Sequence, residues 1–472
     1  MSFSDSVYSA LPAFAQGYAL SLYGLVLRSR RYGGIHSAVL NELLRSQWWT
    51  EDQLRALQLS RINALLQAAR HVKLYRDRTY PNRIDSLEDI CSLPFLTKDD
   101  LRRPASETVS EKSHRLISIG TGGTTGTPLR IYADRGALQR NYAFFERFKS
   151  WTGIPPRPRV ATFAGRAIVP SDQKGPPYWR WNAPARTMLF STYHLSDATL
   201  PDYLSALRKL RPHLIDTYPS ALGILARSAH ECAEEGIRPT AIITSSETLP
   251  NSVRSQAEEA FGCRIFDYYG SAEMAALITQ CERGAYHVNP EYGMVELLDG
   301  DRAVEVGEPG EIVATGFVNL SMPLFRYRTG DIARWTSNSC LCGRSFPVIQ
   351  QIEGRMDDVI VTPDGFRVGR LDPVYKAASG VLESRIVQDA PAHLRLELVP
   401  TSAYKATTAQ GIVKELRKRV GNDMEIDVVL VPALPRSRSG KVRNVVNEVH
   451  ERLISARGTT SLVDSPESKA DG

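Results

Sequence analysis

Apolar residues recur at helical spacing in several stretches of the chain. Leu54, Leu57, Ile62, Leu65, Leu66 and Ala69 predict an amphipathic helix over residues 51–72. Leu138, Tyr142, Phe145 and Phe148 predict a second. Further helices follow from Leu204, Leu207 and Leu210, from Leu222, Leu225, Ala229 and Cys232, and from Val253, Ala257 and Phe261. Short β-prone runs lie between them at residues 160–163, 214–216, 241–244 and 264–268. Helices alternating with short buried strands indicate an α/β architecture with mostly parallel sheets, because each crossover helix covers a sheet face.

Beyond residue 293 the pattern changes. Gly293, Gly300, Gly307, Gly310, Gly316 and Gly330 punctuate short β segments, which predicts a small β sub-lobe over residues 294–335. A second change falls at residues 354–369. Strands are expected at 385–387, 394–398 and 426–431, with a helix over 408–420 and another over 442–454. The predicted organisation is a large N-terminal domain (1–355), a compact α+β domain (356–457) and a Ser/Thr/Asp/Gly-rich tail (458–472) without ordered structure.

Composition narrows the class. With 42% hydrophobic and 23% charged residues over 472 positions, the chain is neither a disordered polymer, a fibrous repeat nor a disulfide scaffold. It contains no run of about 18 apolar residues, so no membrane span is expected. The net charge of +6 is spread along the chain. It suits anionic small molecules such as nucleotides as well as nucleic acid, and a mildly basic solvated surface is favoured over nucleic-acid binding. Six cysteines in so long a chain point to a reducing compartment, hence the cytoplasm. The apolar stretch near residues 18–27 is followed, not preceded, by basic residues, so a secretory signal is rejected. A helix packed on the body is favoured there; peripheral membrane contact stays open.

Two segments promise anion chemistry. Gly120, Thr121, Gly122, Gly123, Thr124, Thr125, Gly126, Thr127 and Pro128 form a loop whose glycines let backbone N–H groups approach a polyphosphate, with threonine hydroxyls beside them. It is not a Walker A loop. Lys441 lies in a Gly/Ser-rich basic run with Arg436, Arg438 and Arg443, where a mobile cation could meet developing negative charge. Separately, Cys281, His287, Cys340 and Cys342 supply a Cys₃His set suited to a structural Zn²⁺, although their spacing is not that of a zinc finger. Buried free thiols are the competing reading. Cys91, Cys232 and Cys263 are assigned to the core.

Seven segments, in order, resemble the motifs of the adenylate-forming superfamily of acyl-CoA synthetases, adenylation domains and luciferases. They are the loop from Gly120; Tyr218-Pro219-Ser220-Ala221-Leu222; Ser245-Ser246-Glu247-Thr248-Leu249; Tyr268-Tyr269-Gly270-Ser271-Ala272-Glu273; Arg326-Tyr327-Arg328-Thr329-Gly330-Asp331; Gly354-Arg355-Met356-Asp357-Asp358; and Pro435 to Lys441. Within the superfamily the chain looks most like the phenylacetate–CoA ligase and capsular CapK-like branch. The resemblance implies a large adenylation domain and a small mobile domain. It implies ATP, Mg²⁺, coenzyme A and a small-molecule carboxylic acid as reactants and cofactors.

The same resemblance assigns roles. Thr121, Gly122, Gly123, Thr124, Thr125 and Gly126 would bind phosphates, with Thr124 also acting in catalysis. Ser246, Glu247, Tyr268, Tyr269, Gly270 and Ser271 would surround adenine and ribose, with the Tyr269 ring against the base. Glu273 would hold Mg²⁺; Asp331 and Arg355 would meet the ribose. Asp357 would be the hinge and Lys441 the adenylation cation. Arg166, His194 and Tyr218 fall in the region of the acyl pocket. The chain departs from many relatives in carrying Thr127 where they carry lysine, which removes a positive charge near the phosphates. The acceptor is expected to be coenzyme A. Alternatives are an amine, a hydroxyl, a carrier protein, transfer of AMP to a cofactor, or a non-catalytic nucleotide-binding role in surface-polysaccharide assembly. The oligomeric state is open, a homodimer included.

Overall fold

In the computed structural model the described residues are 8, 11–76, 80–120, 129–163, 168–170, 173–196, 198–231, 236–355, 360–363, 367–368, 371, 380–421, 423–436 and 442–449. The chain divides into two compact units. The first comprises Met1–Glu353 with Arg436–Val442; the second comprises Gly354–Pro435 and Arg443–Gly472.

The first unit is organised on a 13-stranded sheet. Thr187–Phe190, Val160–Phe163, Leu214–Thr217, Ala241–Ser245 and Arg264–Gly270 lie side by side and run parallel. Helices Leu200–Leu210, Pro219–Glu231 and Asn251–Phe261 alternate with the last four of these in sequence, as the periodicity predicts. The strand after Arg264–Gly270 reverses. Leu277–Gln280 pairs with it antiparallel, Tyr286–Val288 pairs antiparallel with Leu277–Gln280, and Val348–Arg355 pairs antiparallel with Tyr286–Val288. The Gly-punctuated segment, expected as a small β sub-lobe, is β-rich and forms one end of this sheet. Gly293–Asp299, Pro309–Gly316 and Leu324–Trp335 join by antiparallel pairs. The reason is local: Gly300 and Gly307 sit at φ +61° and +87° in turns too short for a crossover helix.

Helix boundaries follow side-chain chemistry. Thr50 and Gln53 form a capping box at the start of Glu51–Ala69, whose Ile62, Leu65 and Leu66 enter the core. The Asp134 carboxylate accepts the Ala137 N–H at 2.8 Å and so starts helix Arg135–Ser150.

That helix carries the fully buried Arg147. Its guanidinium donates to both Glu291 oxygens (2.6 and 3.2 Å) and to Asn289 Oδ1 (2.6 Å). It also donates to the Leu43 carbonyl at 3.3 Å, and Ser46 Oγ donates to Glu291 at 2.7 Å. Helices His36–Ser46 and Arg135–Ser150 are thereby tied to the segment that follows Tyr286–Val288.

The second unit has a four-stranded sheet ordered Glu425–Leu430, His393–Pro400, Val381–Ala390, Val445–Asn447, with helix Ala406–Val420. Leu394, Leu396, Leu398, Ile412 and Leu416 form its core. Of the helix expected over 442–454, Val445–Asn447 is instead a strand, pairing parallel with Ile386, Val387 and Gln388; residues 448–449 are helical and 450–454 lie outside the described residues. Two adjacent valines beside an open sheet edge favour extended backbone over helix. Among the described residues no helix is long and apolar enough to cross a membrane. The tail at 458–472 lies outside the described residues.

Glu291→Ala is expected to destabilise the first unit by about 3–5 kcal/mol in urea denaturation, because it strands the Arg147 cation away from water.

Candidate active site

Alternation along Arg264–Gly270 separates its side chains onto two faces. The Tyr268 ring packs edge-on against Phe145 (5.1 Å) and Phe148 (5.5 Å) in the aromatic core. Tyr269 points the other way, and its hydroxyl donates to Asp331 Oδ2 at 2.7 Å across 62 positions of sequence. Tyr268 shares a motif with Tyr269 but not a face, and its ring helps to seat helix Arg135–Ser150. Burial first, then the Asp331 and Glu273 carboxylates, hold the Tyr269 phenol well above its usual range. Glu273 is buried and accepts the Tyr327 hydroxyl at 3.2 Å. Four acidic or phenolic groups from two motifs, Tyr269, Glu273, Tyr327 and Asp331, thus share one neighbourhood.

The backbone that delivers them is irregular. Leu324–Trp335 slips register against Pro309–Gly316 between the pairs Ile332–Glu311 and Arg328–Val313. Thr329, Gly330 and Asp331 there stand opposite Ile312 alone, an excess of two residues, with Gly330 at φ +76°. This is a β-bulge, a device that re-aims a side chain, here Asp331. The bulge is pinned by the Gly330 N–H donating to Glu311 (3.0 Å) and the Asp331 N–H donating to Thr329 Oγ1 (3.1 Å). Ser246, Met274 and Arg326 all have positive φ (73°, 57° and 39°), beside Glu247, Glu273 and Tyr327 respectively. Such strain gathers at functional sites. The sequence offered no signal for it, since none of the three is glycine or asparagine. Arg326 is held by a bidentate pair with Glu296 (2.8 and 3.1 Å) and stacks over Phe95 at 4.1 Å.

The Glu247 carboxylate accepts the Ser220 N–H (2.9 Å) and hydroxyl (3.1 Å) at the first turn of Pro219–Glu231. A carboxylate there meets unsatisfied N–H groups and the positive end of the helix dipole. It also accepts the Val442 N–H at 3.2 Å. Gly270 and Ser271 follow directly on Tyr269, and Gly270 ends its strand.

His194 sits in an aromatic layer, stacked on Tyr178 at 5.3 Å, with Nδ1 at 2.8 Å from Ser191 Oγ. Burial lowers its pKa, which favours neutral imidazole. Tyr218 immediately precedes Pro219–Glu231, and its carbonyl accepts the Leu222 N–H. Thr121, Gly122, Gly123, Thr124, Thr125, Gly126, Thr127, Arg166, Asp357 and Lys441 lie outside the described residues. The phosphate-loop segment joins the antiparallel strands Ile117–Gly120 and Arg130–Ala133. Arg355 ends strand Val348–Arg355, its side chain outside the described set.

The cysteines and histidine do converge. The ligand atoms of Cys281, His287, Cys340 and Cys342 all lie within 4.8 Å of one another. Cys281 Sγ is 3.6 Å from Cys340 Sγ, and Cys342 Sγ is 3.4 Å from His287 Nε2. Tetrahedral Zn²⁺ with ordinary bond lengths puts sulfurs about 3.8 Å apart and sulfur and nitrogen about 3.5 Å apart. His287 Nδ1 is 3.3 Å from the Phe346 carbonyl, which would orient the ring with Nε2 toward the sulfurs. Burial lowers the His287 pKa, so the imidazole is neutral and able to ligate. The residues fit a structural zinc, which would join the Leu277–Gln280/Tyr286–Val288 hairpin to residues 340–343.

Beside this cluster, Asp267 is buried and receives the Thr244 (2.7 Å) and Tyr286 (2.8 Å) hydroxyls. Burial raises its pKa from 3.8 to about 6.

Comparison with known proteins agrees with this layout. Residues 360–448 match the CapK C-terminal domain family. Protein CapK of Staphylococcus aureus is 26% identical over 454 residues, spanning 94% of this chain and 99% of that protein. A phenylacetate-coenzyme A ligase of Thermus thermophilus is 22% identical over 439 residues, spanning 84% and 97%. Among solved structures, a 2-hydroxyisobutyryl-CoA ligase bound to an acyl-adenylate superposes with a TM-score of 0.65 at 21% identity, covering 88% of this chain and 94% of its own. An anthranilate CoA ligase gives 0.51 at 16% identity, covering 78% and 71%.

Two outcomes follow. Asp267 binds its proton more tightly folded than unfolded, so its contribution to stability falls as pH rises from about 4 to about 6, by about 3 kcal/mol. Denaturation across that range should show the slope in wild type and lose it in Asp267→Asn. Elemental analysis of purified protein should find about one zinc per chain. Cys340→Ser should lower both metal content and thermal midpoint.

Proposed function

Since the chain is a relative of CapK and the phenylacetate–CoA ligases with the fold of adenylate-forming ligases, we propose that it activates a carboxylic acid with ATP and passes the acyl group to coenzyme A. The observation that carries this reading is the Tyr269–Asp331 hydrogen bond beside buried Glu273. It supports a reading in which one carboxylate meets vicinal hydroxyls, the other a hard cation, and the ring the base. That is what a metal-bound nucleotide requires.

In the first step a substrate carboxylate oxygen bonds to the α-phosphorus of ATP. The bond to the bridging oxygen breaks, and pyrophosphate leaves with its electrons. The reaction is slow without help because both partners are anionic. The Thr/Gly loop from Gly120 and Lys441 would offset that charge and align the reactants. Mg²⁺, when bound at Glu273, supplies Lewis acidity toward the phosphates. Asp331 would accept the ribose hydroxyls while Tyr269 keeps its carboxylate in place and lays its ring toward the base. In the second step a thiolate sulfur attacks the acyl carbon and AMP departs, leaving a thioester. The acid is read as an aryl or arylacetic acid from the phenylacetate-coenzyme A ligase relatives. The cytoplasm is the matching location, where coenzyme A and ATP are available.

Pyrophosphate exchange with a carboxylic-acid panel tests the first step, and AMP release with and without coenzyme A tests the second. Asp331→Asn should raise KM for ATP about tenfold to a hundredfold. Lys441→Ala should slow exchange about a hundredfold or more while ATP still binds. Absence of exchange with every acid, or normal exchange by Lys441→Ala, rejects the mechanism. Exchange without any effect of coenzyme A on AMP release moves the acceptor to an amine, hydroxyl or carrier.

A further inference from the structure

Helix Ala13–Tyr32 presents an unusual outer surface. Its inner face rests on strand Trp179–Asn182 through small residues and one polar anchor. Ser21 Oγ donates to the Trp181 carbonyl at 3.4 Å, and Gln16 Oε1 accepts the buried Arg180 guanidinium at 2.7 Å. Gly24 lies against Asn182, whose side-chain amide a Cβ there would meet at 2.4 Å and displace. A surface helix so seated ordinarily turns polar residues outward.

This one does not. Phe14, Tyr18 and Leu22 are 71%, 72% and 68% exposed, with Leu25 and Val26 exposed beside them. At 100° per residue, positions 14, 18, 22 and 25 form a single outward stripe, so the helix is apolar on the side that faces water. At its C-terminal end come Arg28, Arg30 and Arg31, of which the first two are exposed. The chain has no Asp or Glu from residue 6 to residue 41. Trp181, on the strand beneath, is also partly exposed.

From this surface we infer that the helix is an interfacial anchor for an anionic lipid membrane. Aromatic and aliphatic side chains on one face with arginines at one end match what inserts shallowly at a headgroup boundary. The helix cannot span, being too short of hydropathy. Charge decides between a membrane and a second copy. In a two-fold helix pair the arginines of one chain would lie against a partner stretch with no acid to receive them. Phosphodiester headgroups supply the missing negative charge. The anchor would hold the enzyme at a surface without taking part in its chemistry.

Flotation of full-length protein with vesicles of phosphatidylcholine plus phosphatidylglycerol, and with phosphatidylcholine alone, tests this. Wild type should float with the anionic vesicles, less so at high salt. Leu22→Glu should cut the bound fraction about tenfold or more. The double variant Arg28→Glu/Arg30→Glu should cut it about tenfold. Both should keep the wild-type thermal midpoint, because the positions are exposed; should Leu22→Glu fold poorly, Phe14→Ser serves instead. A wild type that never floats, or floats equally with the double variant, overturns the proposal. So does a wild-type dimer in solution that Leu22→Glu dissociates, which would assign the stripe to self-association.

Discussion

Strand Arg264–Gly270 has unlike neighbours, and the architecture of the first unit turns on that fact. On one side it pairs parallel with Ala241–Ser245; on the other it pairs antiparallel with Leu277–Gln280. Parallel strands bring their carboxyl ends, and hence ligand-facing loops, to one edge. The antiparallel partner then returns the chain from that edge, so the residues between, including Ser271 and Glu273, must lie where the sheet changes direction. Pleating does the rest. A slip of one residue would exchange Tyr268 with Tyr269, burying the phenol that meets Asp331 and exposing the ring that packs on Phe145.

Around this strand the described backbone departs from regularity at several points. The bulge at Thr329, Gly330 and Asp331 turns the Asp331 carboxylate toward Tyr269. Ser246, Met274 and Arg326 hold positive φ at a cost of order 1–3 kcal/mol each. Rigid surroundings make that tolerable. The buried Arg147–Glu291 pair clamps two helices near the sheet, and the Arg326–Glu296 pair holds one strained residue by its own side chain. Neither pair is a strong net source of stability, since desolvation offsets most of the attraction, but each disfavours alternative packings.

The Cys₃His cluster belongs to the same logic. Its thiols come from the turn after Leu277–Gln280 and from a loop near residue 341, distant in sequence. Metal bonds there would fix the hairpin that follows the sheet's reversal and join it to residues 340–343.

Much of this was legible in advance. Apolar periodicity located helices such as Glu51–Ala69 and strands such as Val160–Phe163 because period is a local property that burial of one face imposes. Motif order pointed to the adenylate-forming ligases, and four scattered Cys and His residues suggested a metal cluster. Choices of partner were not legible. That Tyr268 packs in the aromatic core while Tyr269 meets Asp331, that Glu247 caps a helix, that the glycine-rich segment extends the sheet and that Val445–Asn447 is a strand all depend on what lies across space. The chain alone sets which side chains share a face; only the folded sheet decides which face meets which neighbour, because pairing energy resides in contacts between residues far apart along the sequence.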